Sequence, residues 1–137
     1  DFSGGGGETL LLYNTTPSSK EKRCLLLGLG KEEEVSIESL RCAFASAVKE
    51  CQKKGISKIN LVVPTITELR NLTVEECLTG VAEGILLTNY RWEKLAKLNE
   101  ETVLLKEVCL VGILPKMLEV MKSCGHIAEG VYLARDL

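Results

Sequence analysis

The stretch that decides the fold is Thr73–Leu86, TVEECLTGVAEGIL, because it combines a helix start with apolar residues at helical spacing. Thr73-Val-Glu-Glu76 has the form of a capping box, in which a hydroxyl and a carboxylate satisfy the amides of a first helical turn. Apolar residues then recur three and four positions apart. Gly80 and Gly84 lie four apart inside this helix, where each glycine costs about 1 kcal/mol relative to alanine. We therefore predict a helix that packs closely against another backbone.

Strand patterns lie on both sides of this helix. Lys58–Val63 (KINLVV) precedes it as an apolar run closed by Pro64, and its lack of strict alternation is typical of a strand covered on both faces. Thr102–Val111 (TVLLKEVCLV) follows it as a further strand, with a bend or bulge expected where Lys106 and Glu107 interrupt the apolar run. Helices between such strands favour an α/β fold.

The remaining segments extend this alternation. Glu8–Tyr13 and Arg23–Gly28 are two short apolar strands joined by a polar loop. Ser36–Gly55 is a predicted helix whose first residue is the N-cap and whose last residue ends it. A last helical pattern begins at Pro115, with a kink or break expected at Gly125. The order β-β-α-β-α-β-α predicts an α/β three-layer sandwich with a mixed, largely parallel sheet.

Composition and charge limit the class of protein. The 137 residues are 45% hydrophobic and 26% charged, which predicts a single soluble domain with one core over residues 1–137. The scattered charges sum to −2 and argue against a nucleic-acid or membrane partner. Because the start lacks a signal peptide and no run approaches the roughly 20 apolar residues of a membrane span, we expect a cytoplasmic protein. The six cysteines contain no C-x-x-C, so we expect reduced core thiols.

Two glycine-rich stretches are candidates for ligand binding. Gly4–Gly7 precede a strand and lack the lysine of a phosphate loop, so we expect a flexible loop that enters a strand. Gly28-Leu-Gly30 follows a strand, as a dinucleotide-binding turn does, but the glutamates that follow would repel a pyrophosphate. A tight turn is the favoured interpretation, and a ligand at this strand end stays an alternative.

No catalytic constellation is visible in the sequence. His126 is the only histidine, which removes any multi-histidine metal site, and Cys124 lies two positions away, where helix neighbours do not face each other. We therefore assign no catalytic and no metal-binding residue, although an independent enzyme using Cys124 or His126 is one interpretation. Tyr90, Arg91 and Trp92 combine aromatic rings with charge, a composition that suits an interface as well as a domain edge.

Four stretches, in order along the chain, carry a family resemblance. They are Asp1–Glu8 (DFSGGGGE), Cys24–Gly30 (CLLLGLG), Ala82–Lys94 (AEGILLTNYRWEK) and Ile127–Leu137 (IAEGVYLARDL). Together they resemble the N-terminal domain of the leucyl aminopeptidase (cytosol aminopeptidase) family. The resemblance implies a macro-domain-like fold that serves interdomain packing and assembly of a homohexamer. Arg135, in the last stretch, joins Tyr90, Arg91 and Trp92 as a candidate interface residue.

The same resemblance implies that the chemistry lies elsewhere. Enzymes of the family are exopeptidases that use two metal ions, zinc or manganese, and their ligand motifs belong to a C-terminal domain. Neither motif occurs here, so we expect no cofactor in this chain and no activity of the chain alone. The expected partners are its own catalytic domain and other subunits, with residues 127–137 starting the linker helix and a first strand of the family domain missing. The alternative is a macro-like module that binds a nucleotide or ADP-ribose near Gly28 and Gly30.

Overall fold

The computed structural model describes residues 1–63, 69–91 and 103–137, in which four strands alternate with three α-helices. The strands are β1 (Thr9–Tyr13), β2 (Arg23–Leu27), β3 (Lys58–Val62) and β4 (Glu107–Val111). The helices are α1 (Ile37–Lys53), α2 (Val74–Thr88) and α3 (Leu118–Asp136), and short 3-10 turns lie at Glu32–Glu34 and Pro115–Met117. The order β-β-α-β-α-β-α confirms the predicted mixed α/β class.

The predicted helix ends are formed by the residues expected to form them. Ser36 Oγ accepts a hydrogen bond from the first-turn amide of α1 at 3.1 Å. At the start of α2, Thr73 Oγ1 accepts a hydrogen bond from Glu76 N at 3.1 Å, and Glu76 Oε2 accepts one from Thr73 N at 2.8 Å. Gly55 follows α1 with a φ of +66°, a left-handed conformation that glycine adopts without strain. Local sequence therefore determines where these helices begin and end.

The strands form two separate two-stranded sheets within the described residues. β1 and β2 are antiparallel, with Leu11 opposite Leu25, and β3 and β4 are parallel, with Ile59 opposite Val108. In both sheets these side chains point toward a core shared with α1 and α2, and the alternate side chains point away from it. The expectation that the third strand is covered on both faces is wrong, since Val62 on its other face is 72% exposed.

α1 and α2 pack with almost no space between them. A Cβ atom added to Gly84 would lie 2.6 Å from Arg41 O and 3.0 Å from Phe44 Cβ, both on α1. A Cβ atom added to Gly80 would lie 2.9 Å from Ile37 O. These distances are far below ordinary van der Waals contact, so only glycine fits at either position. They confirm the predicted close packing of α2 against another backbone.

A partly buried ion pair lies beside this contact. Arg41 Nε donates a hydrogen bond to Glu83 Oε2 at 2.8 Å, and the guanidinium also bonds Glu38 on its own helix. The hydrogen bond to Glu83 raises the pKa of Arg41 above its already high value. The charge pair therefore bridges α1 and α2 next to the glycine contact.

β4 begins at Glu107, so it is shorter than the strand predicted at Thr102–Val111. Thr102, the first residue of that prediction, lies outside the described residues. Asn89, directly after α2, bonds both backbone groups of Leu105. Its Nδ2 donates to Leu105 O at 2.7 Å, and its Oδ1 accepts from Leu105 N at 2.9 Å. Since one side chain makes the bonds that a neighbouring strand would make, this segment stays outside the sheet.

The two expected local irregularities had different outcomes. Lys106 N and Glu107 N both donate to the single acceptor Ser57 O, at 2.7 and 3.2 Å, which is the irregularity expected at the start of β4. α3 instead runs unbroken through Gly125, so the expected break at this glycine is wrong. The buried residues of α3 lie on either side of this glycine, and their packing offsets a propensity cost of about 1 kcal/mol.

The six cysteines are all free thiols, and only half of them lie in the core. Burial raises the pKa of each buried thiol, at Cys51, Cys77 and Cys124. The exposed ones are Cys24, Cys42 and Cys109, so the prediction of core thiols is wrong for these three. Cys24 and Cys109 stand at strand positions that point away from the core, a consequence of strand register that composition does not reveal.

Candidate interface at the ends of the second and third helices

Two of the four predicted interface residues meet where α2 and α3 end. Tyr90 follows α2, and its ring stacks on that of Tyr132 of α3, with 5.1 Å between ring centroids and 29° between ring planes. The Arg135 guanidinium carbon lies 5.2 Å from the Tyr90 ring centroid, in the range of a cation–π contact. Residues 45 positions apart in sequence thus form one aromatic and cationic cluster.

The hydroxyl of Tyr90 completes this cluster. It donates a hydrogen bond to Asp136 Oδ1 at 2.6 Å. This bond, together with partial burial and the negative charge of Asp136, raises the pKa of Tyr90 to about 12. Tyr90 therefore stays a protonated hydrogen-bond donor at neutral pH, which holds its ring in one position rather than preparing it for acid–base chemistry.

α3 also satisfies the open end of α2. The last carbonyl groups of a helix lack partners within that helix. Here the Tyr132 hydroxyl donates to Leu86 O, and Arg135 Nη1 donates to Leu87 O at 3.1 Å. The positive guanidinium at the negative end of the α2 dipole adds a favourable interaction. We call Tyr90, Tyr132, Arg135 and Asp136 the helix-end cluster.

The other candidates are placed less centrally. Arg91 directly follows Tyr90 and is partly exposed, whereas Trp92 lies outside the described residues. Tyr132 and Asp136 were not among the predicted interface residues, although both stand in the quoted IAEGVYLARDL motif. Their spacing of four along α3 places them on one helix face, and this is the signal that could have identified them. The cluster therefore combines two stacked rings with one positive and one negative side chain.

The glycine loop at the start of the chain is already filled by its own carboxylate. Ser3 N and Gly5 N donate hydrogen bonds to Glu8 Oε2 at 3.1 and 3.0 Å, and Ser3 Oγ donates to the same atom at 2.8 Å. These donors lower the pKa of Glu8. Gly4 and Gly7 both have φ of +80°, so glycine is needed to shape the loop. The loop enters β1 as expected, and internal hydrogen bonds define its shape.

The turn at Gly28 and Gly30 uses its amides within the chain as well. Gly28 N donates to Glu8 O at 2.8 Å, and Gly30 N donates to Gly4 O at 3.0 Å. A Cβ atom on Gly28 would lie only 2.2 Å from Gly5 O, so these glycines let two backbones meet. Since these amides have partners within the chain, the turn gives no support to the nucleotide or ADP-ribose alternative.

The described residues give no support to nucleophilic or metal chemistry. Cys124 is buried in the core side of α3 and His126 is exposed, so the two do not form a nucleophile and base pair. Among residues 1–63, 69–91 and 103–137, no three His, Cys, Asp or Glu side chains are close enough to hold a metal ion. In the same residues, no helix is sufficiently long and apolar to span a bilayer.

Comparison with known proteins places the chain in a family. Residues 1–97 match the profile of the cytosol aminopeptidase family, N-terminal domain. The chain belongs to the cytosol aminopeptidase family. It is 41% identical over 138 residues to a probable cytosol aminopeptidase of Chlamydia caviae, covering 100% of this chain and 27% of the relative. The corresponding proteins of Chlamydia abortus and Chlamydia trachomatis serovar A are 41% and 39% identical, over 99% and 100% of this chain.

The alignments cover nearly all of this chain but only part of each relative. The chain spans 27% of the length of these curated relatives. The match includes the helix-end cluster of this chain, since the aligned region covers nearly all of it. The family assignment predicted from the four quoted stretches is confirmed by these comparisons.

Proposed function

We propose that this chain is the noncatalytic N-terminal domain of a cytosol aminopeptidase and serves interdomain packing and oligomer assembly. The observation that carries the proposal is the family match over residues 1–97, combined with coverage of only 27% of each relative. The longer protein would be a cytoplasmic exopeptidase that releases N-terminal amino acids from peptides. The complete domain would be a three-layer, macro-domain-like sandwich.

A noncatalytic role is supported by the side chains of this chain. The two metal ions that the family implies, zinc or manganese, do not fit the described residues, because no group of three ligating side chains gathers among them. Cys124 and His126 lie apart in environment, one buried and one exposed. Any metal-assisted hydrolysis would therefore be performed by residues of a catalytic domain outside this sequence.

The helix-end cluster supports a packing role. Its stacked rings and cationic head are already fixed by bonds to Leu86 O, Leu87 O and Asp136. A fixed surface loses little side-chain entropy when a partner binds, so its contacts add more to affinity than those of free side chains. The proposed partners are the catalytic domain of the same polypeptide and the other subunits of a homohexamer.

Hydrolysis of leucyl p-nitroanilide tests the noncatalytic role. The isolated chain and a polypeptide extended to the length of the relatives are assayed side by side with added Zn²⁺ or Mn²⁺. We expect turnover by the extended polypeptide only, because the described residues of the isolated chain gather no group of metal-ligating side chains. Metal-dependent turnover by the isolated chain, retained after passage over a chelating resin and renewed metal addition, would contradict the proposal.

Assembly of the extended polypeptide tests the packing role. Arg135→Met removes the guanidinium and keeps most of the apolar stem, and Lys49→Met, on an exposed position of α1, makes the same change in charge elsewhere. We expect Arg135→Met to shift the oligomer toward smaller species in light scattering, while Lys49→Met leaves it unchanged. The same oligomer size for both variants would show that the helix-end cluster is not part of the interface.

A further inference from the structure

A cavity of about 390 Å³ opens between the N-terminal halves of α2 and α3. Glu75 and Thr79 of α2 form one wall, and Glu119, Ser123 and Ile127 of α3 form the other. The members of each wall lie four positions apart, so they form one row along one face of their helix. We call this space the helix cavity.

The charged side chains of the helix cavity stand where the two helices begin. Glu75 lies in the first turn of α2, Glu119 in the first turn of α3, and Lys116 in the 3-10 turn that precedes α3. Within the described residues, none of these three side chains forms an ion pair. One amine and two carboxylates at this end of the cavity are therefore available to a ligand.

The lining farther along α3 is apolar. Val120 and the buried Cys124 lie on the inner side of the cavity, and Ile127 offers an apolar side chain that is 56% exposed. The thiol of Cys124 is already hydrogen-bonded to the side chain of Thr79. Glu119 and Ile127 are separated by about 12 Å along the helix axis, at a rise of 1.5 Å per residue. A ligand that fills the helix cavity must therefore be charged at one end and apolar at the other.

We propose that the helix cavity binds a free α-amino acid with an apolar side chain. The ammonium group of the ligand bonds Glu75 and Glu119, and its carboxylate bonds Lys116. Its side chain covers Val120 and Ile127. A simple cation would leave the lysine without a counter-charge, and a simple anion would face two carboxylates. A zwitterion is therefore the ligand that satisfies all three charged groups.

The ligand connects this site to the proposed function. An exopeptidase releases free amino acids, so the helix cavity would bind the product of the longer protein. That biological role of the ligand rests on the proposed function, whereas binding itself is measured on this chain alone. A failure of binding and a failure of the proposed function are therefore separate results.

Amide chemical shifts of the isotope-labelled chain, titrated with L-leucine, test the proposal. We expect saturable shifts at the residues of the helix cavity with a Kd on the order of 1 mM, because an open site leaves part of so small a ligand in water. Leucinamide lacks the carboxylate, N-acetylleucine lacks the ammonium group, and glycine lacks the apolar side chain. Each should bind more weakly than leucine by about fivefold or more, since each loses one kind of contact.

A lysine variant separates binding from structure. Lys116 is exposed, so Lys116→Met should keep the fold. It should bind leucine about fivefold more weakly than the parent and lose the preference for leucine over leucinamide, because the group that binds the carboxylate is gone. Lys122→Met changes an exposed residue of α3 that does not line the cavity, and this matched control should keep both the affinity and the preference.

Thiol labelling gives a second measurement that needs no variant. Cys124 lines the helix cavity, whereas the other buried thiols, Cys51 and Cys77, do not. Saturating leucine should therefore slow alkylation of Cys124 more than alkylation of the other two. The proposal is overturned if leucine causes no saturable shift, or if leucinamide binds the parent chain as tightly as leucine. An unchanged preference in Lys116→Met, or equal protection of all three buried thiols, overturns it as well.

Discussion

Replacement of Gly84 by alanine is the sharpest test of the packing between α1 and α2. The added methyl carbon would lie 2.6 Å from Arg41 O and 3.0 Å from Phe44 Cβ, and both atoms are close to or part of the α1 backbone. A backbone atom cannot rotate away, so the helices must separate. Overpacking of this kind costs about 1–3 kcal/mol, and the rigid neighbours here place the cost near 3 kcal/mol.

The intrinsic preference of a helix for alanine acts in the opposite direction. It is worth about 1 kcal/mol, so the expected net loss in the free energy of unfolding for Gly84→Ala is about 2 kcal/mol. Gly130 in α3 is the matched control, because a Cβ atom added there meets nothing within 4 Å. Gly130→Ala should therefore stabilise the chain by about 1 kcal/mol.

Urea unfolding followed by circular dichroism measures both variants against the parent chain. The two alanine variants should differ by about 3 kcal/mol, which corresponds to roughly 10 °C in melting temperature for a chain of this size. The m-value should stay constant, since neither variant changes the surface exposed on unfolding. Equal unfolding free energies for Gly84→Ala and Gly130→Ala would refute the close contact between the two helices.

Three further predictions concern side-chain bonds. The hydrogen bond to Asp136 raises the pKa of Tyr90 to about 12 from a usual 10. The stability that this bond adds to the folded chain is therefore complete below pH 10 and lost as pH rises through 12. In an absorbance titration, Tyr90→Phe should remove one late-titrating tyrosine. Glu83→Gln should lower the unfolding free energy by about 1 kcal/mol, whereas Glu107→Gln, in a well exposed ion pair, should change it by less than about 0.5 kcal/mol. Because the pKa of Glu8 is lowered, the bonds of its carboxylate are present above pH 4.5 and lost as pH falls below it. The protection of the glycine-loop amides, measured as the exchange rate relative to the intrinsic rate at each pH, should therefore fall in acid in the parent chain but not in Glu8→Gln.

Features encoded by neighbouring residues were predictable from the sequence. The caps at Ser36 and Thr73 and the helical spacing of apolar residues depend on interactions within one turn, so their signals are local. The close contact at Gly80 and Gly84 was predictable too, because two glycines at helical spacing have no other advantage inside a helix. The family assignment rested on short motifs in the right order and needed no geometry.

Features encoded by distant residues were not predictable. The hydrogen bonds of Asn89 to Leu105 keep Leu105 out of strand β4, and they join residues 16 positions apart. No local sequence pattern around either residue predicts them. The exposure of one face of Lys58–Val62 depends on which neighbours cover the sheet, and composition alone suggested two covered faces. For the candidate interface, the motif placed Tyr90 and Arg135 in the correct set, but the stack with Tyr132 required the packing of α3 on α2.

The shared end of α2 and α3 has a consequence for how the domain opens. Because Tyr132 and Arg135 supply donors to Leu86 O and Leu87 O, the last turn of α3 cannot fray without stripping those carbonyls of their partners. The end of α3 therefore cannot unfold unless the end of α2 loses these bonds too, so the two ends form one cooperative unit of local unfolding. The amides at the end of a helix normally exchange first. Here, exchange at the end of α3 depends on the stability of the end of α2, which lies more than forty residues earlier in the chain.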